Sequence, residues 1–560
     1  MSKHRKFWAV LVGAMFLVPM VLSACGPTAK NKPTGGTAKN GGSVIDGLYE
    51  EPDTLLPMLT NETYSIIVDQ AIWAGLWYGD PQGQLHAGIA TEVPSQANGD
   101  ISSDLKTWKI KLRPGLKWSD GQPLTAADVA FSYNLYANPA FANTFGFPTT
   151  DPADPIGFIS ATATDSNTVT ILLKNPDVVL LSSLADGASG PIPMHIFQSI
   201  SPANIAHSPE YSKPSVVSGP FMIQSRVSGD SIVLVKNPNY YQAGLPHLNQ
   251  LTFKIIPDQN TILTDLQSGS ITNSWFLDVT KLSQYKAISG YTTAQDSNPA
   301  GYEVLVFEMQ PGRILSDKVI RKALTESFDT SQLVTTLYNG AAKPTCDDSA
   351  GTFVHEPSLT CNQLNPTQAA SELDADGWKM GSDGYRHKNG QTLELTYATT
   401  NKASREQTQL LAQAAWKAVG IKIDIKNYAA NVFFGANANG ILHSGQFDIG
   451  EFANTLGYDP DDHTFFMSTQ TPDKGGSNYM HYSNPEVDTA ETAQQQTADQ
   501  TARKAAFHTI HTDVINDVPV MFLYTAANIF VYNNHLQNYK PSALGPSEAW
   551  NVWDWYLDNV

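Results

Sequence analysis

Between Phe452 and His463 the chain reads Phe452-Ala453-Asn454-Thr455-Leu456-Gly457-Tyr458-Asp459-Pro460-Asp461-Asp462-His463, a turn-forming stretch dense in carboxylates. Carboxylates suit the capture of an ammonium group, which on leaving water needs an opposite charge and hydrogen-bond acceptors. The calcium-loop spacing of an EF-hand is absent here, and the plain alternative is a solvated acidic loop. His508 and His511, three apart on a predicted helix, lack a third ligand at metal spacing. No Gly-x-Ser-x-Gly elbow and no phosphate-cradling glycine loop occurs, and nothing singles out an acid pair for glycoside hydrolysis. None of these patterns singles out a catalytic centre, and no cofactor and no metal is expected. A secreted hydrolase, using an acidic pair or the His508–His511 helix, is the rival reading from another class.

The three cysteines divide by context. Cys25 follows Lys3, His4, Arg5 and Lys6, an apolar run from Phe7 to Leu22, and then Leu22-Ser23-Ala24. That run falls short of the roughly 20 residues a membrane span requires, so residues 1–24 read as an export signal. A pair of small residues before a cysteine resembles the lipobox of bacterial lipoproteins, which implies acylation of Cys25 and anchoring to the membrane outside the cytoplasm. Residues 25–42 are rich in Pro, Gly, Thr, Lys and Asn and read as a flexible stalk. Cys346 and Cys361 lie in a loop-like stretch and, in an oxidising compartment, are expected to form a disulfide.

Composition bounds the rest. The chain has 560 residues, 41% hydrophobic and 10% aromatic, too long for one hydrophobic core. A formal net charge of −18 argues against nucleic acid, whose phosphates need Lys and Arg stripes.

Alternating and helical patterns must position the acidic stretch. Trp108 to Arg113 alternates as a half-buried strand and ends at Pro114-Gly115. Thr125 with Asp128 three residues later predicts a capped helix. Ser231–Val235, Leu251–Ile256, Val304–Phe307 and Ile421–Ile425 read as strands; 260–267, 317–328 and 407–419 read as helices. Strands and helices mixed throughout say α/β with more than one sheet.

Taken together, these segments resemble the family 5 extracellular solute-binding proteins, the peptide- and nickel-binding receptors of ABC importers. The resemblance rests on Leu112-Arg113-Pro114-Gly115-Leu116-Lys117-Trp118-Ser119-Asp120-Gly121-Gln122-Pro123-Leu124-Thr125-Ala126-Ala127-Asp128-Val129. It continues in order through Ser218-Gly219-Pro220-Phe221, Leu234-Val235-Lys236-Asn237-Pro238-Asn239-Tyr240-Tyr241, Ile255-Ile256-Pro257-Asp258, Val319-Ile320-Arg321-Lys322-Ala323-Leu324, Asp376-Gly377-Trp378 and Val419-Gly420-Ile421-Lys422-Ile423. Physically these are turn formers and strand ends, and they read as scaffold.

The resemblance implies a two-lobed periplasmic-binding-protein-like fold with mixed sheets flanked by helices. Lobe one would take residues 43–72, 216–300 and 526–560, with a subdomain, 73–215, inserted in it. Lobe two would be residues 301–525, hinged near Ala300 and Thr525. Ligand would be enclosed between the lobes, and the monomeric receptor would deliver it to the importer's permease. In peptide-binding members an aspartate on the loop equivalent to 452–463 pairs with the ligand's α-ammonium, and its position falls at Gly457 here. Either Asp459 or Asp461 substitutes, or the ligand has no free amine, as for a nickel chelate, sugar or opine. Tyr64, Asn273 and Trp275 are expected wall residues, beside Asn454, Gly457, Tyr458, Asp459 and Asp461. Trp550, Trp553 and Trp555 are expected to pack lobe one.

Overall fold

The strand Ser43–Leu48 lies inside a seven-stranded sheet, parallel to Gln250–Ile255 on one side and to Asn273–Ser274 on the other. The remaining order is Tyr291–Gln295, Ile529–Asn533, Asn273–Ser274, then Ser43–Leu48, Gln250–Ile255, Ser231–Lys236 and Phe221–Val227. The computed structural model describes residues 38–560 apart from 61, 142, 296–300, 339–340, 362, 436–439, 527 and 543–547. The export signal, Cys25, most of the stalk and the chain crossing at Ala300 therefore lie outside the described residues. Residues 39–560 form one compact unit.

A second sheet of six strands runs Ala342–Pro344, Val520–Ala526, Gly301–Phe307, Ile449–Thr455, Glu394–Thr400, Lys422–Tyr428. Its central strand shows why it forms. Val304 and Val306 pack into one apolar cluster and Leu305 and Phe307 into another, so both faces are buried and the run is continuously apolar. Burying a side chain such as Phe307 contributes about 1.5–3 kcal/mol. The alternating Ile421–Ile425 segment becomes the strand Lys422–Tyr428, parallel to Glu394–Thr400. A third, antiparallel sheet joins Thr107–Lys111, Thr168–Leu173 and Phe158–Ala163.

Local chemistry sets the element ends. Asp128 accepts the Thr125 backbone N–H at 2.9 Å and opens the helix Ala126–Tyr136. The helix Gln259–Ser268 stops where Gly269 turns left-handed at φ 75°, a conformation that costs glycine little. Asp317 caps Lys318–Glu326 by accepting the Val319 N–H at 2.9 Å.

The strands of the seven-stranded sheet come from residues 43–48, 221–295 and 529–533, and those of the six-stranded sheet from 301–526. Residues 73–215 carry the three-stranded sheet yet share one apolar cluster with the seven-stranded sheet, through Trp73, Trp77, Trp118 and Tyr133. Trp555 is buried in that cluster, while the half-buried Trp550 and Trp553 pack against Tyr78. Cys346 and Cys361 form a disulfide. Among the described residues no helix is long and apolar enough to cross a membrane.

Candidate functional site

Four strands end at one cavity. Ser43–Leu48 and Asn273–Ser274 run parallel in one sheet, and Glu394–Thr400 and Ile449–Thr455 run parallel in the other. The residues just past or at their carboxyl ends, Tyr49 and Glu50, Trp275 and Phe276, Thr400 and Lys402, and Thr455 to Gly457, all line a cavity of about 640 Å³. Parallel strands present their loops at the same end, so such crevices recur where sheets meet their connections.

Acid is concentrated on the side supplied by the segment after Leu48. Glu62 caps the helix Thr63–Ile72, accepting the N–H groups of Tyr64 at 2.7 Å and Ser65 at 2.8 Å. Burial, then the charge of Asp53, pushes the Glu62 carboxyl up to about 8. Asp53 accepts the Ser65 hydroxyl and the Thr54 N–H, both at 2.7 Å. Glu50 is buried, lines the cavity, and accepts no hydrogen bond among the described residues. Burial and its neighbours Glu62 and Asp53 raise its proton affinity well above the usual carboxyl range, opposed by Arg405.

The cations come from the other sheet. Arg405 donates from Nε to Glu303 Oε1 at 2.6 Å and from Nη1 to Thr400 Oγ1 at 3.0 Å, so its charge is already paired. Lys402 lies with Nζ 4.1 Å from the centre of the Phe276 ring. Burial and the charge of Arg405 push the Lys402 ammonium down. Aromatic area is supplied by Tyr64, Trp275, Phe434, Phe452 and Tyr479.

The residues expected from the sequence divide cleanly. Tyr64, Trp275, Asn454, Gly457 and Asp461 all line the cavity. Asn454 donates from Nδ2 to the Tyr302 hydroxyl at 2.9 Å. Gly457 is exposed on the wall, and a Cβ there would meet only the Asp459 carbonyl oxygen, at 3.9 Å. Asp461 is tied to His463 and Gln494. Burial alone would raise its pKa, but the His463 imidazole outweighs that and holds it below the usual carboxylate range.

Three expected wall residues do not line the cavity. Asn273 is fully buried within the seven-stranded sheet, donating to Asp46 Oδ2 at 2.7 Å and Glu548 Oε1 at 3.2 Å. Tyr458 lies over the bare Cα of Gly79 and donates its hydroxyl to the Gly79 carbonyl at 3.2 Å. Asp459 receives both Nη groups of Arg503, from the helix Gln500–Asp517. His508 and His511 diverge, His508 pairing with Glu356 at the surface and His511 with the buried Asp348. Sequence reasoning missed Glu50, Asp53, Glu62 and Lys402. The available signal was the acid-rich Glu50-Glu51-Pro52-Asp53 directly after a strand, with Glu62 before a helix.

Comparison with known proteins agrees with this architecture. The family model for bacterial extracellular solute-binding proteins, family 5 (Middle), matches residues 84–478. The oligopeptide-binding protein AppA of Bacillus subtilis (strain 168) is 24% identical over 575 residues, covering 99% of each chain. Protein XP55 of Streptomyces lividans is 27% identical over 529 residues, 91% of this chain and 89% of that one. The structure of Bacillus subtilis AppA in complex with a nonapeptide superposes with a TM-score of 0.84 at 22% identity, over 93% of this chain and 100% of that one. NikZ from Campylobacter jejuni, solved with Ni(L-His), gives 0.80 at 22% identity, over 92% and 99%. The fold is the two-lobed α/β fold of periplasmic binding proteins, as the sequence motifs led one to expect. With the family model spanning most of its length, this chain belongs to the bacterial extracellular solute-binding proteins of family 5.

Proposed function

We propose that this protein is a receptor, working outside the cytoplasmic membrane, that encloses an oligopeptide and delivers it to an ABC importer. The seven-stranded and six-stranded sheets would form the cores of the two lobes, closing over the cavity between their strand ends. Ligand shifts such an equilibrium only through its higher affinity for the closed form. Lipid on Cys25 would hold the monomeric receptor near its permease, a reading that rests on the sequence alone.

The observation that carries the peptide reading is Glu50. A buried carboxylate on a cavity wall, with no hydrogen-bond donor among the described residues and two acidic neighbours only partly offset by Arg405, is stabilised by a ligand's ammonium. This cluster supplies the charge that Gly457 cannot. The similarity to AppA, solved with a nonapeptide, supports the same class of ligand.

A second reading is a receptor for a metal chelate or another non-peptide solute. It is favoured by Gly457 on the wall, by the cavity residue His443, whose pKa burial lowers, and by the likeness to NikZ.

Native mass spectrometry of the protein as purified tests both readings. The expected result is a co-purifying peptide whose affinity drops more than tenfold, about 1.4 kcal/mol, on N-terminal acetylation or in Glu50→Gln. A co-purifying chelate, sugar or opine would replace the peptide reading, and turnover of the bound molecule would overturn the receptor reading.

A further inference from the structure

Behind the cavity wall lies a cluster that ligand capture does not use. Asp348 follows Cys346 of the disulfide loop, Asp462 immediately precedes the short helix His463–Phe466, and His511 comes from the helix Gln500–Asp517. One ligand-capable atom from each of the three lies within 4.8 Å of the others. All three side chains are at least nine-tenths buried, with residue exposures of 1% for Asp348, 2% for Asp462 and 2% for His511.

Their hydrogen bonding is incomplete in a way that points to a missing cation. Among the described residues, Asp348 Oδ2 and His511 Nδ1 have no hydrogen-bond partner, and the Asp462 carboxylate has none apart from a proton shared with Glu491. Within the trio the only bond is between His511 Nε2 and Asp348 Oδ1, at 3.3 Å. Glu491, on the helix Pro485–Gln495, is fully buried, interacts with Asp462, and has its own Oε1 unbonded. Two carboxylates thus flank one imidazole, with Glu491 set against Asp462.

The nearby basic groups are engaged elsewhere, Arg503 on Asp459 and His463 on Asp461. Buried carboxylates are retained when they are paired or when they coordinate a metal.

We infer that Asp348, Asp462 and His511, with Glu491 as the candidate fourth ligand, bind one divalent cation, and that this cation is zinc. Carboxylate oxygens alone would suit calcium or magnesium, but an imidazole in a small closed set suits zinc. We assign it a structural role, because all four side chains are buried. Asp462 also lines the cavity, so the ion would pin the 456–462 loop to the disulfide loop and to the long helix. Like the disulfide, it would hold the wall against which a ligand closes.

The test uses the full mature chain without a polyhistidine tag, stripped with a chelator and returned to metal-free buffer. Zinc, manganese and calcium chlorides are then titrated by calorimetry and by thermal melting. Zinc is expected to bind at one site per chain and to raise Tm with concentration, manganese more weakly and calcium not at all. Saturation by calcium or manganese in preference to zinc would overturn the choice of ion. Absence of any metal-dependent Tm rise would overturn the site.

Asp462→Asn separates a metal site from an acid cluster that merely shares protons. It should melt no lower than wild type without metal, because an unpaired buried charge has gone, yet lose the zinc response. His508→Ala, at the exposed neighbour, should keep the response. The reverse pattern in these two variants would assign zinc to the surface and sink the proposal.

Discussion

The Tyr49 hydroxyl donates to Asn401 Oδ1 at 2.8 Å, joining two residues 352 positions apart in the chain. Tyr49 directly follows a strand of the seven-stranded sheet, and Asn401 follows a strand of the six-stranded sheet. The Ser404 N–H, which reaches Asp278 Oδ2 at 3.3 Å, and Lys402 over Phe276 tie the same two sides together. A neutral hydrogen bond contributes about 1 kcal/mol net. Tyr49→Phe and Asn401→Ala should therefore each weaken ligand binding roughly 2–10-fold. Combined, they should cost no more than either alone. Isothermal titration of the four proteins with the co-purifying ligand checks this; additive losses would mean that the bond does not couple the two sides.

Asp459 looks like a ligand contact in the sequence and is a structural ion in the fold. Its carboxylate neutralises Arg503, whose side chain is only 5% exposed. Asp459→Ala leaves that guanidinium with Gln494 as its one remaining hydrogen-bond partner among the described residues, a loss of about 3–5 kcal/mol. Tm should fall by several degrees while the folded protein binds ligand with nearly unchanged affinity. A large affinity loss at unchanged Tm would return Asp459 to the site.

The buried trio Asp46, Asn273 and Glu548 makes stability depend on pH. Burial pushes the Glu548 carboxyl up to about 7, from an ordinary 4.5. Between those values the folded protein keeps a proton that the unfolded chain releases, so stability falls as pH rises through the window and stays lower above it. Glu548→Gln keeps an acceptor for Asn273 and Tyr539 without the charge. Its unfolding free energy relative to wild type should improve from pH 5 to pH 8, by on the order of 3 kcal/mol at most, read by denaturant titration at each pH. A difference that does not change with pH would refute this assignment.

The disulfide closes a short loop, with its cysteines 15 positions apart. Removing it as Cys346→Ser with Cys361→Ser should cost about 3 kcal/mol through the entropy of the unfolded chain. Thermal melts of the double variant, and of wild type with and without reductant, check this. The double variant should be insensitive to reductant, and melting at the wild-type temperature would show that the bond adds nothing.

Much of the architecture follows from patterns a few residues long. The Thr125–Asp128 box, the Gly269 stop and the continuous apolar run of Val304–Phe307 act through neighbours in the chain, and the elements form where those patterns lie. Tyr64 and Trp275 were reachable for the same reason, because each follows a recognisable element boundary. Asn273, two residues before Trp275, lies within the strand Asn273–Ser274, where its side chain is held by Asp46 and Glu548 and not by the cavity wall, a partnership made by distant segments.

The charges could not be read this way. Asp459 and Arg503 are 44 positions apart, and Asp348 and His511 are 163 apart. Whether a carboxylate is free, paired or grouped depends on what the tertiary fold brings to it and on how much water it excludes. By itself the sequence determined a family, an α/β fold with more than one sheet and the pairing of Cys346 with Cys361. Only the packed structure decided which acids face the cavity, because desolvation and pairing are properties of a place in space, not of a position in the chain.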